Sequence, residues 1–156
     1  MVEKSCKIKS NIVTIDEKEN GIREILNFGH TFGHSIETET AFKILHGQGV
    51  AIGMIASMYI SYIKGYIQKE EIENAKNLLK YFNLYNKNKL DIENIYNNML
   101  YDKKNENKKI KLIILKEIGK ALSTDEIEKK DQTLPERSKQ PGVSWEIGRA
   151  SCRERV

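Results

Sequence analysis

The sequence predicts a mainly α domain with one short strand or hairpin near residues 110–122. Apolar residues recur at three- and four-residue spacing in three stretches, as amphipathic helices require. A further stretch that begins at residue 46 is apolar nearly all round, which predicts a buried helix. The segment 110–115 is short and rich in β-branched residues, which favours a strand. The predicted helices are 22–39, one that begins at residue 46, 68–82 and 90–101.

All three histidines of the chain fall within one stretch, at His30, His34 and His46. In a continuous helix, His30 and His34 lie one turn apart on one face, which Asn27 and Arg23 extend towards the N-terminus. An H-x-x-x-H pair is compatible with zinc binding, although histidines at this spacing also occur in ordinary helices. The helix that begins at His46 is rich in small residues, which predicts close packing that brings His46 beside His30.

Glycines lie between the histidines of the first helix. Gly29 and Gly33 each cost about 1 kcal/mol of helix stability relative to alanine. Close approach of another backbone or of a ligand explains such glycines better than helix propensity does.

The histidine stretch carries a family resemblance. Arg23 opens the pattern R-x-x-x-N-x-G-H-T-x-G-H-x-x-E, and Leu45 opens the pattern L-H-G-x-x-V-A-x-G-M. Both patterns resemble the 3-dehydroquinate synthase family, and the resemblance covers about residues 1–123. It implies that residues 1–128 form the family's helical C-terminal domain, which binds metal and substrate. It also implies that the family's N-terminal NAD-binding domain is missing.

The resemblance implies a reaction and two cofactors. The family converts 3-deoxy-D-arabino-heptulosonate 7-phosphate to 3-dehydroquinate and phosphate in the shikimate pathway, which leads to aromatic amino acids. NAD oxidises one substrate hydroxyl transiently, and zinc or cobalt binds substrate hydroxyls. A metal ion stabilises developing oxyanions and lowers hydroxyl pKa values. We therefore expect a lyase that acts on a sugar phosphate acid.

Site residues follow from the same resemblance. His30 and His46 match the two histidine ligands of the metal, and His34 matches a residue that contacts substrate and assists proton transfer. Lys9 and Arg23 match catalytic and substrate-binding positions.

Further substrate-binding positions are Asn27 and a lysine near the phosphate, which is either Lys103 or Lys104, with Lys103 preferred. Glu19 stands at an acidic position of the family and is expected to orient Lys9 or Arg23. Arg23 is the only arginine before residue 131. Its planar guanidinium suits a carboxylate better than lysine does, which agrees with an acidic substrate.

Two departures from the family pattern limit these expectations. Gln48 stands where the family more often has glutamate, so a carboxylate that orients a metal ligand is expected to be missing. A catalytic zinc site normally has three protein ligands, and the third, a glutamate, would come from the N-terminal domain. We therefore expect the isolated chain to be inactive and to bind zinc poorly.

The composition of the chain changes near residue 130. Residues 131–156 hold four arginines and one lysine, whereas residues 1–130 hold one arginine and 20 lysines. We interpret residues 129–156 as a non-native tail, of which 146–156 resemble a translated sequencing adapter. Cys152 and the arginines of residues 146–156 are therefore not expected to take part in the function.

Composition also restricts location and partners. Hydrophobic residues make up 39% of the chain, no apolar run approaches a membrane span, and no secretory signal is evident. The net charge is only +4, and the lysines are scattered among acidic residues, which argues against nucleic-acid binding. We expect a cytoplasmic protein that acts on a small molecule, the full-length enzyme being a homodimer.

Three alternatives remain open from the sequence. Another sugar phosphate cyclase, such as 2-deoxy-scyllo-inosose synthase, shares the metal and phosphate chemistry. The metal-dependent glycerol dehydrogenases share the fold, but their motifs resemble this stretch less closely. A non-catalytic helical interaction module would use the histidines only for structure.

Overall fold

The computed structural model describes residues 2–85, 90–105 and 110–125, without the side chains of Ile92 and residues 102–105. The elements in chain order are α1 (Val2–Ile15), a 3-10 segment (Ile22–Asn27), α2 (His30–Glu39), α3 (His46–Ile63), α4 (Lys69–Tyr81), α5 (Ile92–Asn105), β1 (Leu112–Glu117) and β2 (Lys120–Thr124). The predicted fold class, mainly α with one hairpin, is confirmed. The predicted tail at 129–156 lies outside the described residues. No helix of the described part is long and apolar enough to cross a membrane.

The hairpin pairs β1 and β2 in antiparallel register, with Leu112 opposite Thr124 and Leu115 opposite Ala121. Gly119 connects the strands with φ +88°, a conformation that side chains other than glycine rarely adopt. β1 is buried along Leu112–Leu115, although it lies in a two-stranded sheet. The strand is therefore part of the core rather than a surface ribbon.

The single helix predicted over residues 22–39 is wrong, because the chain breaks at Gly29. Residues 22–27 form a 3-10 segment, and Gly29 adopts φ +82° in the left-handed region. α2 then begins at His30, with the first helical bond running from the amide of Gly33 to the carbonyl of Gly29. Arg23 and Asn27 consequently do not share a helix with His30 and His34.

Other element boundaries differ less. α4 agrees with its prediction to within a residue at each end. α5 begins at Ile92 rather than residue 90 and continues to Asn105, four residues beyond the predicted end at residue 101. Asp91 accounts for the later start, because its carboxylate accepts hydrogen bonds from the amides of Glu93 and Asn94.

Glycines bring the backbones of α2 and α3 into contact. A Cβ on Gly53 would overlap the carbonyl oxygen of Gly29, and one on Gly29 would lie 2.6 Å from the amide nitrogen of Met54. A Cβ on Gly33 would lie 3.1 Å from the amide nitrogen and the Cα of Val50. These distances are below normal carbon contacts, so the crossing requires glycine. The close approach expected at Gly29 and Gly33 is therefore an approach of backbone.

α3 lies between two apolar clusters. One side of the helix contributes Ile52 and Ile60 to a cluster with α2, α5 and β1. Another side contributes Ile55, Met58 and Tyr59 to a cluster with α4 and the end of β1. The almost uniformly apolar sequence of α3 is explained by this burial on more than one side.

A buried serine fastens the hairpin to α3. The hydroxyl of Ser61 donates to the carbonyl of Ser57 at 3.0 Å and accepts from the amide of Leu115 at 2.8 Å. Ser61 is fully buried, so water cannot replace it as the partner of that amide. The hydroxyl of Ser57 is also buried but has no hydrogen-bond partner within the described part of the chain.

Replacement of Gly53 by alanine is expected to lower the free energy of unfolding by about 3 kcal/mol or more, because the new methyl group overlaps backbone that cannot rotate away. Gly47→Ala is the control. Its Cβ would meet only the end of the Leu84 side chain at 3.8 Å, so we expect no loss and a gain of up to about 1 kcal/mol. Urea unfolding followed by circular dichroism compares the two, and equal midpoints would contradict the packing described here.

A pair of serine substitutions tests the attachment of the hairpin. Ser61→Ala should lower the free energy of unfolding by about 1–3 kcal/mol, because the amide of Leu115 loses its partner inside the core. Ser57→Ala removes a buried hydroxyl that satisfies nothing, so its stability should equal or exceed that of the wild type. The same unfolding measurement would refute this assignment if Ser57→Ala proved the more damaging change.

Candidate metal and substrate site

The three histidine rings meet at the crossing of α2 and α3. The ring centroids of His30 and His46 are 5.6 Å apart, those of His34 and His46 are 5.7 Å apart, and those of His30 and His34 are 6.0 Å apart. The three rings thus form a nearly equilateral triangle. His30 and His46 are each the first residue of a helix, and His34 lies one turn into α2.

The local sequence fixes these positions. The left-handed turn at Gly29 directs the chain into α2 immediately before His30. Gln48 caps the N-terminus of α3, because its side-chain oxygen accepts a hydrogen bond from the backbone amide of Leu45 at 3.4 Å. The glycines at the crossing then hold the two helix starts side by side.

A carboxylate that the sequence analysis did not single out connects two of the histidines. Oε1 of Glu37 is 2.9 Å from Nδ1 of His46, and Oε2 is 3.2 Å from Nδ1 of His34. The Glu37 side chain is only 11% exposed, whereas the two rings are more than half exposed. The spacing H-x-x-E, one turn of helix, is the signal that could have identified it.

Gln48 plays a different role from the one expected. Its amide nitrogen donates to the carbonyl oxygen of Asn83 at 3.3 Å, and its oxygen caps α3. Glu37 already supplies a carboxylate to His46. The carboxylate expected at position 48 is absent, and Glu37, which belongs to the family pattern that opens at Arg23, is a separate contact of His46.

His30 is the most enclosed of the three rings. Its Nδ1 is buried and makes no well-formed hydrogen bond to any described residue. Burial is the main cause that lowers the pKa of His30 below its ordinary value, and the backbone of Phe28 acts in the opposite direction. A lowered pKa favours the neutral ring, which is the form that binds a metal ion.

Arg23 and Asn27 lie on the 3-10 segment and share an acidic neighbour. The side-chain amide of Asn27 donates a hydrogen bond to Oε1 of Glu19, and Nε of Arg23 is 3.9 Å from Oε2 of the same carboxylate. Nη1 of Arg23 donates to the carbonyl of Glu17 at 2.6 Å. Glu19 therefore contacts Arg23, one of the two partners that the sequence analysis expected for it.

The loop before this segment is held by Asp16. Its carboxylate accepts hydrogen bonds from the backbone amides of Asn20, Gly21 and Arg23, at 2.8–3.0 Å. These bonds, the one from Arg23 first, lower the pKa of Asp16 below its ordinary value. On the other side, Glu24 pairs with Lys111 at 2.8 Å and ties the segment to the start of the hairpin.

The expected lysines are less well placed by the structure. Lys9 is exposed on α1, a helix with no buried residue, and no hydrogen bond or ion pair among the described residues joins it to a histidine. Lys103 and Lys104 belong to the backbone of α5, but their side chains lie outside the described residues. The structure therefore brings together the three histidines, and separately Arg23 with Asn27.

The chemistry of the donors fits a metal ion. His34, Glu37 and His46 each offer an atom within 4.8 Å of the others, and the buried Nδ1 of His30 makes no well-formed hydrogen bond to a described residue. A histidine that binds zinc commonly donates its second ring nitrogen to a carboxylate, as His46 does to Glu37. The imidazoles available are nitrogen ligands that zinc and cobalt accept.

Comparison with known proteins identifies the family. The family model described as 3-dehydroquinate synthase C-terminal matches residues 1–105. The chain belongs to the 3-dehydroquinate synthase family. The resemblance seen in the histidine stretch is thereby confirmed.

Curated relatives named 3-dehydroquinate synthase agree with this family. One from a Nitratiruptor species is 42% identical over 137 residues, which are 85% of this chain and 38% of the relative. Another from Helicobacter pylori is 43% identical over 131 residues, 83% of this chain and 38% of the relative. The chain thus spans well under half the length of these relatives.

Solved structures of related cyclases share the fold. A 2-deoxy-scyllo-inosose synthase in complex with carbaglucose-6-phosphate, NAD+ and Co2+ has a TM-score of 0.57 and 26% identity, over 68% of this chain and 30% of that one. ValA, a 2-epi-5-epi-valiolone synthase from Streptomyces hygroscopicus subsp. jinggangensis 5008 with NAD+ and Zn2+ bound, has a TM-score of 0.67 and 18% identity, over 78% and 34%. The second likeness supports the fold alone.

Proposed function

We propose that residues 1–128 form the metal- and substrate-binding domain of a 3-dehydroquinate synthase. The whole enzyme would convert 3-deoxy-D-arabino-heptulosonate 7-phosphate to 3-dehydroquinate and phosphate with NAD and zinc or cobalt. The observation that carries the proposal is the triangle of three imidazoles at the start of α2 and α3, in a chain of this family. A separate NAD-binding domain would supply the nucleotide site and the third metal ligand.

His30 and His46 are the residues that would hold the metal ion. A bound zinc or cobalt ion supplies Lewis acidity towards the substrate hydroxyls and the oxyanion that develops from them. The neutral form of His30 is favoured by burial, so this ring is ready to bind without first losing a proton. The contact with Glu37 fixes the orientation of the His46 ring before any ligand binds.

His34 is the proposed proton carrier near the phosphate end of the substrate. Its ring is 60% exposed, so it can reach a substrate, and Glu37 steadies it from the buried side. A proton held at one ring nitrogen can be exchanged with a substrate oxygen, and the carboxylate stabilises the charged ring that results.

Arg23 and Asn27 are proposed to bind the polar end of the substrate. The guanidinium of Arg23 is partly exposed, and its pairing with Glu19 at 3.9 Å is loose enough to admit a substrate carboxylate. Lys9 and one of Lys103 and Lys104 would add positive charge for the carboxylate and the phosphate. We propose further that the whole enzyme is a cytoplasmic homodimer that binds neither nucleic acid nor membrane.

The test joins this chain to the N-terminal part of the Nitratiruptor relative at the matched position and measures phosphate release with the heptulosonate phosphate, NAD and zinc. We expect turnover by the fusion protein and none by the 156-residue chain alone. His30→Ala in the fusion should reduce kcat/KM by at least about a hundredfold, because a metal ligand is lost. Asn77→Ala, on the exposed face of α4, is the control and should leave kcat/KM unchanged.

Different results separate the alternatives. Turnover of glucose 6-phosphate in place of the heptulosonate phosphate would favour a 2-deoxy-scyllo-inosose synthase, an alternative supported by the structural likeness to that enzyme. Full activity of His30→Ala would refute the metal role. Turnover by the chain alone would refute the need for a second domain.

A further inference from the structure

The side chain of Glu37 occupies an unusual position in the site. It is a nearly buried carboxylate whose two oxygens each face Nδ1 of a different histidine, His46 at 2.9 Å and His34 at 3.2 Å. His34 lies on α2 with Glu37, whereas His46 lies on α3, nine residues beyond Glu37 in the chain. The family roles carried over from the sequence assign nothing to this residue.

The fold makes room for this carboxylate. A Cβ on Gly49 would lie 3.3 Å from Cγ of Glu37 and 3.2 Å from the carbonyl oxygen of Gly33. A side chain at position 49 would therefore press on Glu37. The glycine allows α3 to pass close enough for His46 to reach a residue of α2.

The acid–base chemistry of the contact fixes the form of both rings. A carboxylate only accepts hydrogen bonds, so each imidazole must donate its Nδ1 hydrogen to Glu37. A neutral imidazole carries one hydrogen, and Nε2 of both rings is then left with a free electron pair.

We propose that Glu37 is a positioning residue that holds His34 and His46 together in the Nδ1–H tautomer, with each Nε2 available to a metal ion or to substrate. The tautomer follows from the contacts within this chain, whereas its use in metal binding rests on the proposed function. Each Glu37 oxygen faces a ring nitrogen of a different histidine, so one carboxylate contacts both rings at the same time. Its role is therefore to orient two functional rings at once.

The test is long-range proton–nitrogen NMR of the histidine rings in the metal-free 156-residue chain, at about pH 8.5, where imidazole is normally neutral. We expect His34 and His46 to show a protonated Nδ1 and an unprotonated Nε2. A predominant Nε2–H form of either ring in the wild type would overturn the proposal without any variant.

Glu37→Gln sharpens the test, because an amide has the same shape but one acceptor and one donor group. The amide can accept from only one ring and must donate to the other, so one of the two rings should change to the Nε2–H tautomer. Glu39→Gln removes the same charge on the same helix, where no described contact joins residue 39 to a histidine, and should change neither ring. Unchanged tautomers in a folded Glu37→Gln chain would refute the proposal.

Zinc titration of the same proteins examines the metal part separately. If zinc binds the wild-type chain, Glu37→Gln should weaken that binding by about tenfold to a hundredfold, and Glu39→Gln should not weaken it. Absence of zinc binding even in the fusion protein would count against the proposed function, whereas the tautomers would still decide the role of Glu37. Unaltered zinc affinity in Glu37→Gln would contradict the role of Glu37 in metal binding.

Discussion

The contact between the backbones of α2 and α3 is the constraint on which the rest of the structure depends. Gly29 and Gly53 meet without side chains between them, which no other residue type allows at this separation. The helices begin near this crossing. The rings of their first residues, His30 and His46, therefore lie with their centroids 5.6 Å apart. Packing and chemistry are thus consequences of one geometric feature, and the helix stability lost to glycine is offset by the burial of both helices.

Much of this arrangement could be predicted from the sequence. The small residues of α3 and the H-x-x-x-H spacing predict two helices whose histidines converge, and the resemblance to the 3-dehydroquinate synthase family assigns them roles. The break at Gly29 was not predicted, because a glycine inside an apolar period is compatible with both a continuous helix and a left-handed turn. The left-handed turn is favoured by packing of Gly29 against the backbone of α3, which lies well beyond Gly29 in the chain.

The role of Glu37 was also beyond the sequence. Its spacing from His34 predicts at most one contact on α2, whereas its second contact, to His46, depends on how α3 crosses α2. Gln48 is a second case, since its side chain caps α3 and contacts Asn83, a role that its place in the family pattern does not indicate. Substitution at a family position is therefore best judged after the neighbouring side chains are placed. Arg23 is separated from the histidine helix α2 because the chain breaks at Gly29.

Nuclear Overhauser effects between the ring protons of the three histidines would test the central claim most directly. In the metal-free 156-residue chain, centroid distances of 5.6–6.0 Å predict cross-peaks for all three pairs of rings. The pair His30 and His34 alone would be expected from any α2 helix, so the informative signals are those to His46. Cross-peaks between His46 and both other rings would support the crossing through glycines. Their absence in a folded chain, with the signal between His30 and His34 retained, would contradict it.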